Sequence, residues 1–318
     1  MARPTTSFSR YDRGHRRCLV LLACIVGLAV AAGVARAQRP GQFEPVGPIQ
    51  KVRNNLFVIP GQGGNTAVFV TRQGVVLVDT KLTGNGQAIL DRVASVSDLP
   101  VTTIINTHSH FDHVGSNEAF PATVDVVTHE NTRAAMAKDP AVKDIPQAMP
   151  DRTFRDRLTI GQGPDRVELR YFGPAHTNGD AFVVFPAVRV MHAGDVFPWK
   201  AAPFIDDANG GSPVALVDTL QKVLDGVRDV DTVIPGHMAP TTWAALREFA
   251  EFNRQLLSAA RAAKAAGRTL DQAMAELKPP ARFDDYLANT PIPGLDFLGT
   301  ARERARLNVE LIYKEASR

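Results

Sequence analysis

The sequence predicts an α+β fold in which two β-sheets pack face to face and carry helices on their outer faces. Three observations point there. Each half of the chain reads as short β-type runs followed by helical stretches, the pattern of a layered domain. At 318 residues, 44% hydrophobic and 22% charged, the chain can bury a sizeable core. Polar residues that could bind a metal recur where β-type runs give way to turns, which is where a rigid sheet aims side chains at one point.

The elements follow in order. Arg10, Arg13, Arg16 and Arg17 lead into the uncharged run Cys18–Ala35, and Ala35-Arg36-Ala37 places small residues where a signal peptidase reads. Residues 1–37 are therefore expected to be an export leader, cleaved to leave Gln38 first, with a periplasmic or secreted product. A membrane contact is expected only if that leader stays uncleaved. Residues 38–53, rich in Pro, Gly and Gln, read as a tether. Leu56–Ile59, Thr66–Thr71 and Val75–Asp79 read as strands, with Gln73-Gly74 turning between the last two. Residues 86–97 have helical apolar spacing. Val101–Thr107 is a β-branched run, 117–120 a short helical stretch, Val124–Thr128 a strand and Glu130–Lys138 a helix.

The second half repeats the theme. Leu158–Ile160 and Val167–Phe172 read as strands, and Ala181–Phe185 with Val188–His192 as a hairpin. Pro213–Val227 has an amphipathic helical period, Thr232–Ile234 a strand pattern, and Thr241–Ala266 and Leu270–Leu277 read as helices before a loop and a final helix. Residues 54–240 are thus expected to form one layered domain and 241–318 a C-terminal helical extension.

Charge and cysteine content exclude several classes. Residues 1–37 hold six basic and one acidic residue, so the chain beyond them has 30 basic and 32 acidic residues, a formal charge of −2. Nothing there argues for nucleic acid. Both cysteines, Cys18 and Cys24, lie in the leader. The rest cannot use a thiolate as nucleophile or ligand, so a metal must be held by His and carboxylate.

The stretch NTHSHFDHVGSN supplies them. The spacing His108-x-His110 puts two imidazoles on the same side of an extended segment. Asp112 and His113 follow at a turn and can point elsewhere. Two histidines do not complete a catalytic zinc site, which takes three protein ligands and an open position. His176, in GPAHTNGD, would complete the first site, and His237, in IPGH, the second. Asp195, in HAGD, could bridge two metals, and a pair about 3.5–4 Å apart can hold a hydroxide at neutral pH. A lone buried histidine is ordinarily a hydrogen-bonded core residue, and His129 and His192 are read that way.

The ordered set His108-Ser109-His110-Phe111-Asp112-His113, His176, Asp195 and His237 resembles the metallo-β-lactamase superfamily over roughly residues 50–240. The resemblance implies a four-layer αββα sandwich with metals in a cleft at one edge. It also implies that Asp79, in VVLVDT, is a buried aspartate supporting the motif loop. The zinc β-lactamases of the best known subclass carry Cys at the position of Asp195, whereas Asp195 is similar to the bridging aspartate of glyoxalase II and of lactonase- and esterase-type members. Persulfide dioxygenases share this ligand set with a single iron. The expected function is an exported hydrolase with two zinc ions, acting on an ester, lactone, thioester or β-lactam carbonyl of a small molecule. Asp112 would orient the hydroxide and carry a proton to the leaving group. An iron oxygenase and a non-enzymatic metal-binding protein are the alternatives, since fold alone does not set function.

Overall fold

The β-branched runs pair largely in the order in which the chain makes them. A computed structural model describes residues 45–289, 291 and 296–315; the leader expected over 1–37 and the first part of the tether lie outside them. One sheet has seven strands in sequence order: β1 Gln50–Arg53, β2 Leu56–Ile59, β3 Thr66–Val70, β4 Val75–Val78, β5 Val101–Ile105, β6 Asp125–His129 and β7 Arg152–Phe154. The β1–β4 pairings are antiparallel and the β4–β7 pairings parallel. The second sheet runs β8 Arg157–Ile160, β9 Val167–Arg170, β10 Phe182–Phe185, β11 Val190–Gly194, β12 Thr232–Pro235 and β13 Thr241–Thr242. Its pairings are antiparallel except β11 with β12.

Side-chain alternation with period two decides which layer each residue enters. Ala67, Phe69, Val76 and Val78 face inward and meet Val183, Phe185 and Val190 of the other sheet in one buried cluster. Their neighbours Val68, Val75 and Leu77 face outward and pack with Ile89 and Val93 of helix α1 (Gly86–Ala94). On the other side Phe182, Val184 and Met191 pack against α4 (Pro213–Gly226), α5 (Trp243–Ala265) and α7 (Ala301–Glu315). Between these lie α2 (Phe111–Val114), α3 (Glu130–Met136) and α6 (Leu270–Glu276). The result is the four-layer αββα sandwich, with the C-terminal helices forming part of an outer layer. Among the described residues no helix is long and apolar enough to cross a membrane.

Helix starts follow local chemistry. Ser212 caps α4 by accepting from the Ala215 N–H at 3.0 Å, with Pro213 as the first helical residue. Thr269 and Gln272 form a capping box on α6.

Two readings are corrected. The end of the expected tether, Gln50–Arg53, is an edge strand on β2, and Val46 and Ile49 before it pack on the outer core. The Pro- and Gly-rich composition of 38–53 hides a four-residue strand that turns into β2 at Asn54, whose φ of 46° suits asparagine. Thr241 and Thr242, expected to begin a helix, pair with β12, and Thr242 then caps α5. Edge strands of two to four residues carry too little pattern to be seen alone.

Candidate metal centre

Parallel pairing brings the carboxyl ends of β4 and β5, and of β11 and β12, to one edge of the sandwich. Asp79 follows β4 and takes φ 64°, a left-handed position an aspartate tolerates. It is fully buried and accepts three hydrogen bonds at 2.8 Å, from the Thr107 N–H, the Thr107 hydroxyl and His113 Nδ1. Asp79 thus fixes both ends of the motif loop, the support the resemblance implies. Below it Lys81, also fully buried, donates to the carbonyls of Ile59 (2.7 Å) and Gly64 (2.9 Å). The Gly64 N–H in turn donates to the Asp112 carbonyl at 2.9 Å. A side chain at Gly64 would overlap the His113 ring, and one at Gly236 would overlap the Asp195 carboxylate, so glycine at both lets backbone approach the cluster.

Among the described residues, the seven expected side chains gather in two groups. Atoms of His108, His110, His176 and Asp195 lie within 4.8 Å of one another, and so do atoms of Asp112, His113 and His237. Asp195 reaches both. Its Oδ2 is 3.1 Å from His237 Nε2 and 3.8 Å from His176 Nε2, and its Oδ1 is 3.4 Å from His113 Nε2. Asp112 Oδ2 is 3.5 Å from His237 Nε2. His129 and His192 stand outside the cluster as hydrogen-bonded interior residues: His129 Nε2 donates to the Arg155 carbonyl, and His192 Nε2 to that of Asn65.

Surrounding groups fix how each imidazole presents itself. His113 Nδ1 and His176 Nδ1 face pure acceptors, the Asp79 carboxylate and the Phe204 carbonyl, each at 2.8 Å, so both must carry a proton there. The Thr107 hydroxyl gives its hydrogen to Asp79, so His108 Nδ1 donates to it at 3.0 Å. His110 is the reverse: Nε2 donates to Asp206 at 2.8 Å, and Nδ1 faces the cluster. Two pairs of ring nitrogens therefore meet at its centre. His110 Nδ1 is 3.0 Å from His176 Nε2, and His113 Nε2 is 3.3 Å from His237 Nε2. His108 Nε2 and Asp195 Oδ1 are buried with no hydrogen-bond partner. Ring nitrogens packed this closely and orphaned acceptors are costly to bury unless protons or a metal cation lie among them. The donor set fits metal ions, and its N and O atoms suit a borderline metal.

The electrostatics divide the cluster. Burial would lower His110, but its hydrogen bond to Asp206 and the charges of Asp112, Asp206 and Asp195 outweigh it and raise it above the usual histidine range. Burial and the neighbouring imidazoles of His113, His110 and His176 hold His108 well below the usual histidine range. Burial and His110 bring His176 down to about 4, so both stay neutral and able to ligate. Burial would lower His113 too, but Asp195, Asp112 and Asp79 outweigh it and raise it well above the usual range. Burial would raise Asp195, but His237 and His113 hold it well below the usual carboxylate range. The pull that keeps a proton on His113 is the pull a cation satisfies.

A cavity of about 270 Å³ opens above the cluster. His110, Asp112, His176, Asp195 and His237 form its floor, and Phe111, Pro198, Trp199, Phe204, Phe297 and Leu298 its walls. Behind Trp199 lies Arg304 of α7, fully buried, whose guanidinium is 5.0 Å from the indole centre. It donates to the carbonyls of Ala202 (2.8 Å) and Gly299 (2.6 Å). Sequence reasoning missed Asp206, Lys81, Arg304 and the walls. Asp206 sits in DDANGG, where turn chemistry accounts for an aspartate equally well.

Comparison with known proteins adds the following. The family model for the metallo-beta-lactamase superfamily matches residues 59–237. The α subunit of 2,4-dinitroanisole O-demethylase from Nocardioides sp. (strain JS1661) is 30% identical over 62% of this chain, a match spanning 60% of that relative's length. A type 2 metallo-beta-lactamase from Elizabethkingia meningoseptica is 26% identical over 66% of this chain and 86% of its own. Among solved structures, a metallo-beta-lactamase from Pontibacter korlensis superposes with a TM-score of 0.57 at 20% identity, covering 65% of this chain and 98% of the other.

Proposed function

The chain belongs to the metallo-β-lactamase superfamily, and on that premise we propose that it is a metal-dependent hydrolase of small carbonyl substrates: esters, lactones, thioesters or β-lactams. The observation that carries the reading is the two close pairs of histidine ring nitrogens with a shared carboxylate between them. His108 and His176 would hold one ion through Nε2 and His110 through Nδ1. Asp112 would hold the second together with His113 and His237 through Nε2. Asp195 would touch both. Zinc suits these donors, and two such ions supply Lewis acidity and a water acidified toward neutrality.

The chain's own residues do the rest. Hydrolysis joins the water oxygen to the carbonyl carbon, breaks the acyl–O, acyl–S or acyl–N bond, and passes one proton to the leaving group. Asp112 sits on the cavity floor with a carboxylate able to carry that proton. Asp79 and Asp206 hold the tautomers that leave lone pairs pointing inward, and second-sphere groups of this kind typically matter 10–100-fold. Phe111 and Trp199 keep bulk water from the floor.

The deciding experiment is metal analysis of protein purified without added metal, joined to turnover of an aryl ester, a lactone, a thioester and a chromogenic cephalosporin. Two zinc per chain, with hydrolysis lost to a chelator and restored by zinc, is the expected result. One iron with oxygen uptake would replace the reading with an oxygenase, and bound metal without turnover would replace it with a binding protein.

A further inference from the structure

The floor of the cavity is polar, but the walls are not, and no cation stands among them. Phe111, Pro198, Trp199, Phe204, Phe297 and Leu298 surround the space above the cluster, and no lysine or arginine lines it among the described residues. The segment that supplies Phe297 and Leu298 has no basic residue between Arg282 and Arg302. Three nearby cations are otherwise engaged or turned away. Lys81 lies buried beneath the motif loop with Nζ on the Ile59 and Gly64 carbonyls. Arg304 is behind Trp199, with Nε and Nη1 on two carbonyls and the guanidinium over the indole; its Nη2 is buried without a hydrogen-bond partner, and the residue lines no part of the cavity. Lys200 follows Trp199 in sequence but is exposed and lines no part of the cavity.

From this juxtaposition of a polar floor and cation-free apolar walls, we propose that the site selects an uncharged substrate whose acyl side group is aryl or alkyl, and selects against one bearing a carboxylate. The inference rests on the hydrolase reading and narrows it. The reacting carbonyl engages the floor, so whatever flanks it lies along the walls. An alkyl chain or ring there gains by leaving water. A carboxylate there would lose its hydration and find no partner among Phe, Trp, Leu and Pro. The cavity, about 270 Å³, lies at the small end of small-molecule sites, which run ~300–1,000 Å³, so a single ring or a short chain fills it.

The test is a matched pair of esters: 4-nitrophenyl hexanoate and mono-4-nitrophenyl adipate share leaving group and chain length and differ by one terminal carboxylate. For the zinc-loaded protein, kcat/KM should favour the hexanoate by at least about tenfold, mostly through KM. Leu298→Lys should narrow the gap by raising the adipate, and Lys200→Ala should leave it unchanged. Equal or better turnover of the adipate by the native protein overturns the proposal, as does a preference that vanishes in Lys200→Ala. Should neither ester turn over, the hydrolase reading stands or falls on the wider set of lactone, thioester and cephalosporin substrates, and binding decides the selectivity. In a Trp243→Phe background, where Trp199 is the remaining tryptophan, 1-acetylnaphthalene should quench fluorescence at lower concentration than 1-naphthalenesulfonate. The reverse order overturns the proposal independently of any reaction.

Discussion

Asp195 is the residue on which the two halves of the cluster meet, within 3.8 Å of histidines from both. Asp195→Asn keeps the shape and removes the charge. The expected outcome is a loss of turnover above about tenfold, with one of two metal equivalents held less tightly. Metal content after dialysis and kcat measure it. If Asp195 only caps the turn after Gly194, asparagine serves as well and both readings stay native. Lys81 gives a pH signature. Burial pushes its ammonium down to about 7, against the partial support of Asp79 and Asp112. In the unfolded chain it titrates near 10.5, so between about pH 7 and 10.5 the unfolded chain binds more protons than the fold does. Its contribution to stability is therefore greatest above pH 10.5 and falls away as pH drops through 7. Urea midpoints from pH 7 to 10 should rise less steeply, relative to native protein, in Lys81→Met. Parallel curves would show that Lys81 titrates alike in both states.

At the scale of elements, α7 reaches the site through Arg304. The guanidinium ties the loop after β11, at Ala202, to the segment before α7, at Gly299, and both carry cavity walls. Arg304→Met should leave metal content and kcat near native while raising KM for an aryl ester several-fold, because the walls lose their brace and the floor does not. Leaving those carbonyls unpaired should lower stability by about 1–3 kcal/mol. Arg304→Lys should rescue poorly, since an ammonium lacks the planar fork that spans two carbonyls and stacks on an indole. A red shift of Trp199 emission checks that the wall has loosened; an unchanged KM in both variants would confine Arg304 to stability.

At the scale of the molecule, the proposed metal should be linked to folding. Stripping the metal should lower the melting temperature, and zinc should restore it with a dependence on zinc concentration, as for any ligand bound by the fold alone. A melting curve indifferent to metal would mean the close nitrogen pairs are satisfied by protons alone. If residues 1–37 act as an export leader, the processed protein should begin at Gln38, which N-terminal sequencing decides; a product beginning at Met1 or Ala2 would mean the leader stays on. Much of this architecture was legible beforehand. Runs such as Val75–Val78 and Phe182–Phe185 are apolar and β-branched or aromatic throughout, which shows their β-propensity, and the cluster's motif begins where the β-branched run Val101–Ile105 stops. The edge strands β1, β7 and β13 were not, because their pairing comes from neighbours rather than from their own two to four residues. The floor was legible because its chemistry needs rare residue types at fixed spacing. The walls were not, because Trp199, Phe204 and Phe297 are ordinary apolar residues that only the folded chain brings together.

That split has a consequence for how such a protein can change. The reactive floor is written in the segment from Asp79 to His237, while Phe297 and Leu298 come from a short turn far along the chain from it. Substitutions, insertions or a transplanted turn at residues 289–300 can redraw what enters without rewriting what reacts. The C-terminal stretch behaves as an exchangeable jig bolted to a fixed tool, and it is the place to begin when a new substrate is wanted.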